Sequence, residues 1–120
     1  MDNTEYFKKK LLKIINKNLN GFTIDFNLKP IEKKKGFFVG ITNNSNKDFN
    51  KAINNLLSIK EKMFKNCKNL YIGGWLDNET KTYFLDLSIY LNNKQDSLNI
   101  ARLFNQKAIF DIKNLNCINA

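Results

Sequence analysis

The residues that could do chemistry are few, because this 120-residue chain has no histidine. That absence excludes Ser-His and Cys-His nucleophiles and histidine-metal centres, and with them most hydrolase and metalloenzyme mechanisms. Two carboxylates come first among what remains. Asp86 and Ser88 share one face of a strand, and Asp111 lies on another strand, so the pair could act as acid and base or share a divalent ion. Solvated strand-face residues are the plainer reading. Cys67 stands near Lys65 and Lys68, which favour a thiolate, although a small incidental thiol explains it more simply. Gly36, Gly40, Gly73 and Gly74 form neither a phosphate loop nor a dinucleotide fingerprint, and bulges or close backbone packing account for them. No catalytic residue, cofactor or metal ligand is assigned, and a non-enzyme is expected.

Binding chemistry is better represented. Trp75, with Tyr71, Tyr83, Phe84 and Tyr90, could form an aromatic platform for bases or for a protein partner, with core packing as the simpler alternative. Asn105 and Gln106 fall at a helix end, where they either contact a partner or satisfy orphan carbonyls, and Arg102 is the only arginine. The formal charge of +9 is uneven: residues 1–70 carry fifteen Lys against six acids, whereas residues 71–120 carry five basic residues against five acids. A basic first half attracts phosphate backbones or acidic surfaces. Part of its lysine content reflects a codon bias that also enriches Asn, Ile, Phe and Tyr, and base-edge readers prefer Arg to Lys. The candidate partner-binding residues are therefore Trp75, Tyr83, Tyr90, Arg102, Asn105 and Gln106. The candidate nucleic-acid contacts are Lys8, Lys9, Lys10, Lys33, Lys34 and Lys35.

These residues need a scaffold, and its periodicity is legible. Thr4 is a candidate cap for a helix to about Asn20, with Phe7, Leu11, Ile14, Ile15 and Leu19 on one stripe and Gly21 as its stop. Phe22, Ile24, Phe26 and Leu28 alternate with polar residues as in a half-buried strand ended by Pro30. The next strand, from Gly36, is expected to pair with it as an antiparallel hairpin whose tip is Lys33–Lys35. A helix capped by Ser45 or Asn46 follows to about Asn66, the longest expected. Leu70–Asp77 and Thr82–Leu91 flank a short turn as a second hairpin, with Leu85, Leu87, Ile89 and Leu91 on one face. A helix near Ser97–Asn105 and a closing strand at residues 107–112 complete the chain, with the tail after Lys113 expected to fray. The reading is one α+β domain, order α-β-β-α-β-β-α-β, a mostly antiparallel sheet with helices packed on one face. Lysines interrupt any signal-peptide run, no stretch approaches a membrane span, and Cys67 and Cys117 are expected as reduced thiols. A cytoplasmic protein of a bacterial host cell is expected.

From Tyr71 onward the chain resembles a family of small proteins encoded in phages and other mobile elements. The resemblance rests on Gly73, Gly74, Trp75, Asp77, Asp86, Ser88, Ala101, Asn105, Gln106, Ile109, Phe110 and Asp111. It implies a genomic setting rather than a reaction. That setting, with the small size and lack of cofactor signatures, leads to the expectation of an inhibitor of a bacterial defence system. Such an anti-CRISPR-like protein would block a nuclease complex sterically, its partner a defence protein or ribonucleoprotein such as a CRISPR effector. The alternative is a basic accessory protein of the element that binds RNA or DNA through the first half. No membrane partner is expected.

Overall fold

The computed structural model describes residues 3–120. Three helices, α1 (Asn3–Lys17), α2 (Phe49–Met63) and α3 (Lys94–Leu103), alternate with strands β1 (Gly21–Ile24), β2 (Phe37–Gly40), β3 (Leu70–Asp77), β4 (Thr82–Leu91), β5 (Ala108–Asp111) and β6 (Asn116–Asn119). The fold is α+β. All six strands form one sheet in the order β1-β3-β4-β2-β5-β6, and every pairing is antiparallel. No described helix is long and apolar enough to cross a membrane.

The strand register sorts the side chains. Leu85, Leu87 and Ile89 of β4 share a face with Ile72 of β3, Ile24 of β1 and Val39 of β2. On that face α1 and α2 cover β1, β3 and β4 through Leu11, Ile15, Ile53 and Leu56, while α3 covers β2 and β5 through Leu98 and Ala101 against Val39 and Ile109. Ile89 joins the two clusters. Each fully buried Leu or Ile contributes about 1.5–3 kcal/mol, so this face holds most of the stability. All three helices therefore lie on one side, and the other side of the sheet carries none.

Several local features differ from the periodicity. β1 and β2 do not form a hairpin, because the β3–β4 hairpin inserts between them. β1 also ends four residues before Leu28. The Asp25 carboxylate accepts from the Asn27 and Lys29 backbone N–H groups at 2.8 and 3.0 Å, which folds the chain into a turn with Leu28 at φ +63. Phe26 and Leu28 still pack against the main core from that turn. The cap of α2 is Asp48 rather than Ser45 or Asn46; it accepts from the backbone N–H groups of Asn50 and Lys51, and its charge suits the helix N-terminus. α2 and α1 are of equal length. Asn93 caps α3, which starts three residues before Ser97. The tail is ordered as β6, since Asp111 accepts from the Asn114 backbone and side chain and turns the chain back along β5.

Candidate binding face

The side of the sheet without helices, called the uncovered side for that reason, is aromatic, and loops bury its centre: Phe38, Asp86 and Ser88 are each less than a tenth exposed. Trp75 and Phe84 are register partners on β3 and β4, and their rings stack with centroids 4.8 Å apart and planes 14° apart. Trp75 is 44% exposed, an unusual position for the largest apolar side chain in the protein. A second cluster surrounds Phe38, which is 5% exposed: Tyr71 and Tyr90 meet it edge-on at 5.1 and 5.8 Å. Phe110 of β5 extends this cluster as the register partner of Phe38. The Tyr90 hydroxyl lies 2.8 Å from the Lys35 carbonyl and 2.7 Å from the Asn92 side-chain oxygen, and Lys33 Nζ sits 4.8 Å from the centre of the Tyr90 ring. Gly36, at φ +105, lets the lysine loop pass close to that ring where a Cβ would have no room.

Between the two aromatic clusters lies Asp86, buried and, among the described residues, without a basic partner. One of its oxygens accepts from the Thr42 hydroxyl at 2.6 Å and from the Asn44 backbone N–H at 2.7 Å. Burial pushes its pKa up, and the Thr42, Asn44 and Trp75 hydrogen bonds oppose the shift by favouring the charged form. The same segment is tied down elsewhere. The Asn44 side-chain amide donates to the Ala52 and Leu85 carbonyls, each at 2.9 Å, and the Leu87 N–H donates to the Thr42 hydroxyl oxygen at 3.1 Å. Residues 41–45 thus stay beside β4 after β2 ends, with an isolated bridge from Ser45 to Phe84. Gln106 closes the far side. Its amide lies 3.0 Å from the Thr42 carbonyl, and its oxygen sits over Gly40 on the uncovered face.

This arrangement holds a loop in place and leaves no acid–base pair. Asp111 faces the helices, beside Phe37 and on the same face as Ile109, whereas Asp86 faces the other way. Hydrogen bonding from the Asn114 side chain holds the Asp111 carboxyl below the usual range. Among the described residues no group of three His, Cys, Asp or Glu side chains could hold a metal ion, and no buried side-chain nitrogen or oxygen lacks a partner. Cys67 and Cys117 are free and exposed.

The candidate residues divide between the two sides. Trp75 and Tyr90 lie on the uncovered face. Tyr83 has the opposite register: its ring is 5.4 Å from Phe49, its hydroxyl donates to the Asn18 carbonyl, and burial pushes its pKa up to about 12. Arg102 is exposed on α3, on the helix side. Asn105 ends that helix at φ +56, and Gln106 staples the following loop to Thr42. The lysines divide as well, with Lys8, Lys9 and Lys10 on α1 and Lys33, Lys34 and Lys35 at the rim of the uncovered face. Phe38 and Phe110 were not among the candidates, although alternation along residues 37–40 and 108–111 places each opposite its core neighbours. No family model matches the chain, and no curated protein or solved structure is significantly similar to it.

Proposed function

We propose that this is a binding protein of a phage or mobile element that docks through the uncovered sheet face onto a bacterial defence complex, a CRISPR effector by class, and inhibits it sterically. The observation that carries the reading is Trp75, an exposed indole stacked on Phe84 in a face that no helix covers. Trp and Tyr are the residues that most often anchor protein interfaces, and an aromatic pair already stacked in the free protein loses little entropy when it binds. The basic rim at Lys33–Lys35 adds steering toward an acidic or nucleic-acid-bearing target. The resemblance of residues 71–112 to proteins of mobile elements supplies the biological setting.

The test is a tagged pull-down from bacterial lysate, with and without nuclease treatment, in parallel with Trp75→Ala. A single nuclease-resistant partner, captured by the natural chain and lost by the variant, supports the reading. The partner's cleavage activity should then fall as the protein is added. Normal cutting in the presence of excess protein, or equal capture by Trp75→Ala, overturns it.

A further inference from the structure

The helix side has its own surface chemistry. α1 is a ridge between two grooves. The groove of about 510 Å³ beside the 25–29 turn is lined by the polar Lys10, Lys13, Asn27 and Lys29 and by Tyr6, Ile14 and Leu28. The groove of about 400 Å³ toward α2 is lined by Lys8, Lys9, Asn50 and Asn54 together with Leu12 and Ile53, with Glu5 as its acid. Lys8 pairs with Glu5 at 3.5 Å, and the other ion pair among the described residues, Lys65 with Glu61, lies away from both grooves. Lys9, Lys10, Lys13 and Lys29 are exposed and make no carboxylate contact among the described residues. Lys9, Lys13 and Lys17 recur every four residues, which places their Cα atoms about 6 Å apart along the helix axis.

We propose that α1 and its two grooves bind the phosphate backbone of a nucleic-acid duplex without reading its sequence. Charge complementarity selects the occupant: lysines and asparagine amides are phosphate donors, and a row of uncompensated cations releases counterions when it meets a backbone. A single strand is disfavoured on this side because stacking needs free aromatic faces. Trp75, Phe84, Tyr71 and Tyr90 are on the other side of the sheet, which leaves Tyr6, with Lys10 Nζ 4.7 Å from its ring centre, as the one aromatic side chain among the described residues lining these grooves. Base-edge readout by arginine is absent here, since Arg102 lies on α3. This inference does not rest on the inhibitor reading.

The experiment measures the anisotropy of a labelled mixed-sequence duplex against the full chain, with a single strand of equal length in parallel and Trp75 emission recorded in both. Lys9, Lys10, Lys13, Lys17 and Lys29 acting together give a slope of log K on log salt of about −4 to −5. Lys9→Glu combined with Lys13→Glu should lower the affinity at least about tenfold and make the slope shallower by about 2, with an unchanged melting temperature and no change in Trp75 emission on binding. The proposal is overturned if the duplex does not bind at about 50 mM salt or if the double variant binds it equally. A preferred single strand that quenches Trp75 also overturns it, and assigns nucleic acid to the sheet face instead.

Discussion

Replacing Asp86 with alanine tests whether the uncovered face is held together by one buried carboxylate. The variant loses the acceptor for the part-buried Thr42 hydroxyl at 2.6 Å and the buried Asn44 N–H at 2.7 Å, and the Trp75 side chain loses its partner as well. A hydrogen bond to a charged group contributes about 1.5–3 kcal/mol, and an orphaned buried donor costs about 1–3 kcal/mol. Thr42 recovers part of the loss by rotating its hydroxyl, and removing a desolvated carboxylate returns more. The balance is about 2–4 kcal/mol of destabilisation at neutral pH, or about 10 °C in melting temperature for a domain of this size. The loss should be concentrated locally. Amide exchange at Asn44 and Leu85, whose N–H groups are bonded within this loop pairing, should accelerate more than exchange at Ile72 in β3. Thermal denaturation followed by hydrogen exchange measures both quantities, with Glu79→Ala as an exposed-charge control expected within about 0.5 kcal/mol. A melting temperature for Asp86→Ala within about 2 °C of the natural chain would refute the argument that this carboxylate anchors residues 42–44.

Three further outcomes follow from the same geometry. Burial raises the Asp86 pKa, so it contributes stability below the unfolded value of 3.8 that is lost as pH rises through the folded value. The Asp111 carboxyl is held down by Asn114, so its contribution is present above 3.8 and is lost as pH falls through the folded value. Urea midpoints should therefore show the deficit of Asp86→Asn shrinking, and that of Asp111→Asn growing, as pH increases; deficits that change in the same direction contradict the assignment. Gly74→Ala should cost about 1–3 kcal/mol by overpacking, because its Cβ would meet the Phe22 ring and the Tyr83 hydroxyl. Gly73→Ala meets the Ser88 hydroxyl at 3.3 Å and the Phe22 carbonyl at an ordinary 3.9 Å and should cost less, so equal melting temperatures for the two variants would count against the register. The backbone of residues 116–119 should be protected from exchange by pairing with β5, and free exchange there would mean that β6 does not form.

The β3–β4 hairpin was legible in the sequence because both strands alternate and the turn between them is short. The same alternation also places Tyr83 with Leu85, on the helix side, and grouping it with Trp75 disregarded the period of two. Pairing between strands is not encoded so locally. β1 and β2 are consecutive in the chain, yet the β3–β4 hairpin lies between them, and only contacts across the whole domain decide that order. Parity within a strand also does not say which faces of two strands coincide, so Asp86 and Asp111 could be imagined together until the register put them on opposite sides. β6 escaped notice because residues 116–119 have no apolar alternation; the Asp111–Asn114 turn and the free edge of β5 create it. The loop over Asp86 was invisible for a related reason, since Thr42 and Asn44 are more than forty residues away in sequence.

The residues of the motif in 71–112 are not equivalent once their physical roles are separated. Gly74 leaves room for Phe22 and Tyr83, Asp77 accepts from Glu79 and Thr80 in the hairpin turn, and Asp86 holds the 42–44 loop. Ala101 and Ile109 are core residues, Asn105 supplies a left-handed helix end, Gln106 staples a loop, and Asp111 turns the chain into β6. Each of these contacts is internal to the fold. Trp75 is different. It makes one ring contact, with Phe84, and leaves 44% of its surface in water, a cost in exposed apolar area that the fold does not require. The fixed groups around it converge on its strand pair: Gly73 and Gly74 set its strand, Asp86 accepts a hydrogen bond from its side chain, and the loop held by Asp86 runs beside its stacking partner Phe84. A motif made mostly of structural fixings around one exposed indole is what a preorganised binding surface requires, because affinity gained at a rigid aromatic anchor is not spent on ordering it. Trp75→Ala gives up the Phe84 stack and the Asp86 hydrogen bond and should cost about 2–4 kcal/mol while removing partner capture, whereas Trp75→Phe, which keeps a ring on Phe84, should hold the fold closer to the natural chain and still weaken capture.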